Sequence, residues 1–585
     1  MIGLKKIGLL CVFVWVTFSS LSAQTPLQKY GKHWKNAGCR NFKLPKGYRI
    51  QLTDFGIDTS GIVDAGAVLG LAMKAANSGD TLVFPNGTFL FTQPILLKDS
   101  ICYLGQGNLT QLKFNFPTQN NAIQFSGSIE KSIHTLSNGL KAGDSILKYT
   151  QGNLKVGDWI QILKNDSDLV TSTWAKNTVK ELVQISKINS DSFHFYPPLK
   201  TNYPINRKPW FVRVNPTKQI TLKCFSIERM DSTLGQNSNI ALNYAVDCKL
   251  YGILSNRTNF AHIAIDNSSN CTIEQCYFVA SFGYGGGGKG YGIAIENGSC
   301  QNLFTNSIFK HLRHALLFQS GANGNVISYN YSLDPFWTEN GLPTDAAGDI
   351  VLHGNYPFAN LVEGNTIQNL VIDDSHGSNG PENVFLRNRI ENYGIFMNST
   401  TPSNQQVFYN NEIPKTGLFK GLYILAGTGH LELGNKVRGA YKPNGTKPIL
   451  DSSYYLKSVP LFWPTGFVWP YCGSENSLSA SINPAQYRYS NSQYTDCIGS
   501  VLYSKTQAFR KNNSPINLFD NPIANKLKFY NGTGFLEIRI TDISGKTITY
   551  PIRPYDENCI ETEKMLPGVY VLTVGHTALK FVKSN

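Results

Sequence analysis

Beyond about residue 220 the chain alternates apolar and polar residues in short runs, such as Ile263-Ala264-Ile265 and Ile293-Ala294-Ile295, between turns rich in Asn and Gly. Alternation with a period of two marks β-strands. The runs also repeat. Segments opening at Asn302, Asn325, Asn360, Asn383 and Gln406 follow one another at 23, 35, 23 and 23 residues. Cys224, Cys248 and Cys271 are spaced by 24 and 23, and Cys276 and Cys300 by 24. A recurring period in this range signals a stacked repeat. One such unit cannot bury its apolar face alone, and stacking buries it. Neighbouring strands then lie about 4.8 Å apart, so residues of one column touch, and the asparagines and cysteines are expected to form ladders. The cysteine column reads as core packing without chemistry. The fold class is all-β, a right-handed parallel β-helix.

The N-terminal part supports this. Asp54-Phe55-Gly56-Ile57-Asp58, Leu71-Ala72-Met73-Lys74-Ala75-Ala76 and Gly79-Asp80-Thr81-Leu82-Val83-Phe84-Pro85-Asn86-Gly87-Thr88-Phe89 resemble the opening of the pectate-lyase-like superfamily. The resemblance spans roughly residues 50 to 430 and implies a short helix capping the first rung. It implies fold rather than activity, because that superfamily holds lyases, glycoside hydrolases and non-catalytic adhesins. Residues from about 130 to 215 break the period. Gly143-Asp144-Ser145-Ile146 and Val156-Gly157-Asp158-Trp159-Ile160 there suggest strand-turn units of an inserted β-subdomain.

The last segment reads as a separate β-sandwich, placed at 505–585. Its Asn521-Pro522 start, Ser544-Gly545-Lys546 turn and Gly568-Val569-Tyr570 strand resemble the C-terminal sorting domain of type IX secretion. That resemblance implies export across an outer membrane by the type IX machinery, followed by release or surface attachment. At the other end, Lys5-Lys6, the apolar run Ile7–Phe18 and Ser19, Ser20, Ser22 and Ala23 make a secretory signal peptide, residues 1–23. The β-helix domain is thus expected over 24–504, and the protein secreted or held at the cell surface.

The net charge of +14 is spread over a large surface and favours acidic partners such as uronate or sulfated glycans. No dense Lys/Arg run with interleaved aromatics points to nucleic acid. CxxC pairs are absent from the sequence, which argues against zinc ribbons. Cys472 and Cys497 flank a polar loop and are candidates for a disulfide.

Aligning rungs by their apolar pairs puts Asp266, Glu296, Gln319 and His353 in one outward column, with His376 and Asn398 extending it. Two carboxylates one rung apart repel, which favours sharing a proton or binding a cation. Their spacing suits a retaining glycosidase, and Ca²⁺ is a candidate cofactor because hard cations take carboxylate and amide oxygens. A lyase instead needs a base and a group that neutralises a uronate carboxylate. Lys289, His353 and His376 are candidate bases, and Arg313 and Arg389 candidate neutralisers. Gln319, His314, Trp337, Asp374 and Arg389 are expected to bind substrate. Two long inserts, Ser281 to Gly290 and Pro335 to Gly348, are expected to wall the groove, and their aromatics Phe282, Tyr284, Phe336 and Trp337 either stack on sugars or pin their own loops. The function expected is extracellular breakdown of an acidic polysaccharide, by lyase or glycoside hydrolase chemistry. The alternative is a non-catalytic adhesin or glycan-binding β-helix using the same polar face.

Overall fold

The computed structural model describes residues 34–39, 45–473 apart from 117, 150–152 and 340, 482–497, and short strand segments between 516 and 583. The chain divides into two compact units, Met1–Ile498 and Gly499–Asn585. The proposed signal peptide lies outside the described residues.

The first unit is a right-handed parallel β-helix with three sheets. The first contains Ile240–Asn243, Ala261–Asp266, Tyr291–Glu296, His314–Phe318 and Ile350–Leu352, then the later halves of Thr366–Ile372 and Arg389–Met397. Its register aligns Ile263, Ile293, Leu316, Ile350, Leu370 and Ile395 in one inward column. Each is fully buried, and burying such a side chain stabilises by roughly 2 kcal/mol. The second sheet runs through Leu303–Thr305, Val326–Ser328, Leu361–Glu363, Val384–Leu386 and Val407–Tyr409, all parallel. The third runs through Tyr277–Val279, Ile308–Lys310 and Tyr331–Leu333. The helix Gly66–Ala75 buries Leu69 and Ala72 in the same core, in the place where a cap was expected.

Between sheets, the two asparagine ladders form. Asn302 Nδ2 donates to Asn325, Asn325 to Asn360, and Asn360 to Asn383, each at 2.9–3.0 Å. A second ladder runs through Asn330, Asn365, Asn388, Asn411 and Asn435. The cysteine column is a correction. Only Cys248 and Cys271 share a position, each immediately preceding a paired strand. Cys300 pairs opposite Ser269 instead, and Cys224 forms a disulfide with Cys497 across 273 residues. Cys472 is a buried free thiol, so the expected Cys472–Cys497 bond does not form. Its Sγ donates to the carbonyl of Arg387, on a rung far from Cys224.

Sheet two is apolar on both faces because both are covered. Ile327, Val362 and Phe385 point inward. Val326, Leu361 and Val384 point outward, under Tyr454, Trp463, Tyr471 and Trp34.

The insertion leaves after Ser126 and returns at Thr217. It is one antiparallel six-stranded sheet, ordered Ser128–Thr135, Trp210–Asn215, Trp159–Leu163, Glu181–Ile188, Ser192–Tyr196 and Ile146–Lys148, over its own core of Leu136, Ile160, Ile162, Val183 and Phe211. It docks on the turns that follow the first sheet. Asn323 Nδ2 donates to the Lys180 carbonyl at 2.9 Å. At Gly321, in the left-handed region at φ +72°, a Cβ would meet the Thr178 carbonyl at 2.0 Å, so only glycine admits the approach.

The second unit contains antiparallel strands. Ile538–Asp542 pairs with Gly568–Val574, which pairs with Thr577–Lys583. Lys526–Asn531 lies between Ile516–Leu518 and Cys559–Glu561. The Asn521-Pro522 and Ser544-Gly545-Lys546 motifs lie outside the described residues.

Candidate functional site

The polar column forms where each strand of the first sheet ends. Asp266 pairs in register with Glu296. The pairings Ile295–Phe318 and Phe318–Leu352 put Gln319 and His353 next. Asn267, Asn297 and Ser320 follow at φ +51°, +52° and +45°, left-handed conformations that short polar residues tolerate best. The chain therefore turns away immediately after each column residue and leaves its side chain at the rim. After His353 the expectation needs correction. Leu352 pairs with Ile372, and Ile372 with Met397. Asp373 therefore continues the column to Asn398, and His376 lies three residues further on. The cause is a tight turn: Ser375 N donates to Asp373 Oδ1 at 2.9 Å and Gly377 N to the Asp374 carbonyl at 2.8 Å.

Above this column is a groove of about 920 Å³, floored by Asn243, Asp266, Glu296, Gln319 and His353. One side is formed by Gly287, Gly288, Tyr291 and Arg313, and the other by Trp174, Ser375 and His376. Asp266 and Glu296 are half-buried. Burial and the neighbouring Asp266 charge push the Glu296 carboxyl up from its ordinary range. No hydrogen bond from a described residue reaches that carboxyl. Burial raises Asp266 too, but two groups oppose it: Asn297 Nδ2 donates to Oδ1 at 2.6 Å, and the Lys180 ammonium is nearby. Lys180 is itself pushed down to about 8 by burial, against the Asp266 attraction. The two carboxyls therefore differ. Asp266 has an amide donor and a cation beside it and Glu296 has neither, which favours Glu296 as the holder of a proton shared by the pair.

At the far end His353 Nδ1 contacts an Asp373 carboxylate oxygen. Burial acts to raise Asp373, yet His353 and the Ser375 hydrogen bonds hold it well below the usual carboxylate range. The His376 ring stands edge-on to His353 at 4.9 Å, and its Nδ1 is 3.3 Å from Ser172 Oγ. Burial and His353 lower the His376 pKa, against an opposing pull from Asp373.

The structure brings Asp266, Glu296, Gln319, His353, His376 and Arg313 to one groove. Five other expected site residues are not among those that line this groove. His314 lies beneath the surface, its Nδ1 donating to the Gly348 carbonyl at 2.7 Å, and burial pushes it down to about 3, so it is a neutral core histidine. Lys289 runs its stem beside Gly283 and does not line the groove, unlike Gly287 and Gly288. Trp337 donates Nε1 to the Pro343 carbonyl at 2.7 Å within its own loop. Asp374 accepts from Thr401 N at 2.6 Å. Arg389 belongs to the third sheet, paired with Glu391 and Glu412 at 3.1 and 3.2 Å. Tyr284 and Phe336 pack edge-on at 5.0 Å, so these loop aromatics pin their loops together.

Sequence reading missed Asn297, Asp373, Lys180 and Trp174. Asn297 and Asp373 directly follow or continue column positions, and strict register counting would have found them. Lys180 and Trp174 belong to the insertion, and no periodic signal leads to them. Among the described residues no group of three or more His, Cys, Asp or Glu side chains is placed to hold a metal ion. A Ca²⁺ at the carboxylate pair would need amide oxygens and water for its other ligands.

No family model matches the sequence, and no curated protein does. Among solved structures, the fold is similar to tailspike protein gp49 from Pseudomonas phage LKA1, at 14% identity and a TM-score of 0.50, over 63% of this chain and 64% of the tailspike. The match thus spans just under two thirds of that tailspike. Tailspike gp61 of Pseudomonas phage phi297 aligns at 12% identity and TM-score 0.43, over 66% of this chain and 74% of that one. An exopolygalacturonase from Thermotoga maritima aligns at 12% and 0.39, over 66% and 85%. The class is the right-handed parallel β-helix. At these identities the likeness speaks for fold alone.

Proposed function

We propose that this protein is a retaining glycoside hydrolase acting on an acidic polysaccharide in the groove of the first sheet. The observation that carries this reading is the in-register pair Asp266–Glu296, whose surroundings differ. Adjacent strands are about 4.8 Å apart, close to the carboxyl separation of about 5–5.5 Å that retaining enzymes use. Glu296, kept protonated, gives its proton to the glycosidic oxygen as the bond to the leaving sugar breaks. Asp266, held as an anion by Asn297 and Lys180, attacks the anomeric carbon and forms a glycosyl-enzyme. Glu296, now ionised, takes a proton from water, whose oxygen displaces Asp266. Arg313 supplies a cationic partner for an acidic chain, and His353 and His376 line the groove beside it.

A second reading rests on the His353–Asp373 contact. A carboxylate-backed histidine is a competent base, and with Arg313 facing a uronate carboxylate it would serve β-elimination. A panel of pectic, alginate, glycosaminoglycan and sulfated polysaccharides separates the two. Reducing ends without new ultraviolet absorbance support hydrolysis, and both together support elimination. Silence in both, with or without Ca²⁺, leaves a glycan-binding protein.

We propose further that the chain is exported, with Met1–Ala23 as signal peptide and the C-terminal unit as a type IX sorting module. A mature protein beginning at Gln24 and lacking the C-terminal unit is expected outside the cell. Retention of both ends would refute this.

A further inference from the structure

We propose that the inserted subdomain completes the binding site, with Trp174 as a stacking platform for a sugar ring at the His376 end of the groove. This rests on the glycan reading above. Trp174 is 54% exposed although indole is among the side chains that gain most from burial. A large aromatic left in water on a mobile loop needs no explanation, but this one is rigidly held. It occupies the single turn Thr173–Ala175. Ala175 is fully buried, and its carbonyl accepts from Thr178 Oγ1 at 2.6 Å. The buried Asp166 carboxylate accepts from the backbone N–H groups of Asn177, Thr178 and Val179 at 2.8–2.9 Å. On the near side, Asn355 Oδ1 accepts from Thr171 N and Ser172 N at 3.0 and 3.2 Å, which ties the turn to the β-helix itself.

The indole stands edge-on to His376, with ring centres 6.0 Å apart and planes at 76°. Trp174 lines the groove beside His376. A planar apolar surface beside polar groups is what a pyranose needs, since its axial C–H face is apolar and its rim carries hydroxyls. The opposite side of the groove offers Gly287, Gly288, Arg313 and Tyr291, and the Tyr291 ring is buried. The stacked sugar is therefore placed on the insertion side. His376 and Ser375 line the groove there and are placed to meet its rim.

The test uses the full mature chain and oligosaccharides of galacturonate, mannuronate, chondroitin sulfate and carrageenan, in wild type, Trp174→Ala, Trp174→Phe and Glu296→Gln. Binding is followed by calorimetry and by intrinsic fluorescence, with Trp174→Phe as reference because the chain has eight tryptophans. We expect at least one oligosaccharide to bind wild type and Glu296→Gln equally. Trp174→Ala should weaken that binding about tenfold, and Trp174→Phe less. The fluorescence response should vanish in both Trp174 variants. Turnover should show a raised KM with kcat nearly kept. Equal binding by wild type and Trp174→Ala would overturn the platform while leaving the hydrolase reading intact. Trp174-dependent binding with undiminished cleavage by Glu296→Gln would do the reverse. Absence of binding by wild type across the panel would remove both.

Discussion

Two stacks of polar side chains run up this β-helix, and they behave in opposite ways. In the asparagine ladder, Asn365 Oδ1 accepts from Asn330 Nδ2 at 3.0 Å, and Asn365 Nδ2 donates to Asn388 Oδ1 at 2.9 Å. Every member is the same amide, donor below and acceptor above, and Asn365 is fully buried. In the groove column the members are Asp266, Glu296, Gln319, His353 and Asp373. Two adjacent carboxyls cannot donate to one another while ionised, so their needs are met by a proton, a flanking amide, a lysine or a ligand. One stack is closed on itself and holds the rungs in register. The other is chemically open and available for work. Parallel stacking by itself therefore does not make a site; mismatch within the stack does.

The comparison breaks most severely at Glu296. Glu296→Gln should lower turnover by about a thousandfold while leaving the unfolding midpoint unchanged or higher, since an amide replaces a protonated carboxyl of the same shape and cannot ionise beside Asp266. Kinetics beside a urea titration would check this, and a coupled loss of both would make the column structural. Asn365→Ala should do the opposite. It leaves the buried Asn330 amide without its acceptor and should cost about 3 kcal/mol, with the turnover of the folded protein within about twofold of wild type. His353→Ala separates the two chemistries. A loss of about tenfold or less, near 1.4 kcal/mol, fits hydrolysis by the carboxyl pair, whereas a loss matching Glu296→Gln would move the base to His353.

The smallest effect is on pH. The folded Glu296 pKa is raised, so between its ordinary and raised values the native state binds more protons than the unfolded chain, and stability falls as pH rises through that window. Turnover is kept until pH approaches the raised value, where the folded protein loses its acid. In Glu296→Gln the stability slope from this group should disappear, which denaturation at several pH values would reveal. A slope unchanged by the substitution would place the shifted proton elsewhere.

The period of 23 residues, the apolar pairs and the two asparagine series were readable directly, because each rung repeats the same local problem. Asp266, Glu296, Gln319 and His353 could be aligned for the same reason. His376 could not, because the Asp373–Ser375 turn adds residues that no periodicity reports. The cysteines misled for a related reason. Equal spacing suggested a shared column, but Cys224 sits later in its rung than Cys248 and faces Cys497. His314 reads in sequence as a substrate-binding residue, and only its depth shows it to be a neutral core residue.

The amino-acid sequence alone determined the β-helix, its rung length and the stacking of its apolar pairs and asparagines. Those are nearest-neighbour properties of a repeating chain, and stacking strands fixes them with no other information. Tertiary structure decided which polar column faces a groove, where Trp174 and Lys180 meet it, and that Cys224 bonds Cys497. These depend on an insertion folding back over several rungs and on contacts hundreds of residues apart. Local pattern carries no record of such contacts, because the energy that selects them comes from surfaces that exist only once the helix has formed.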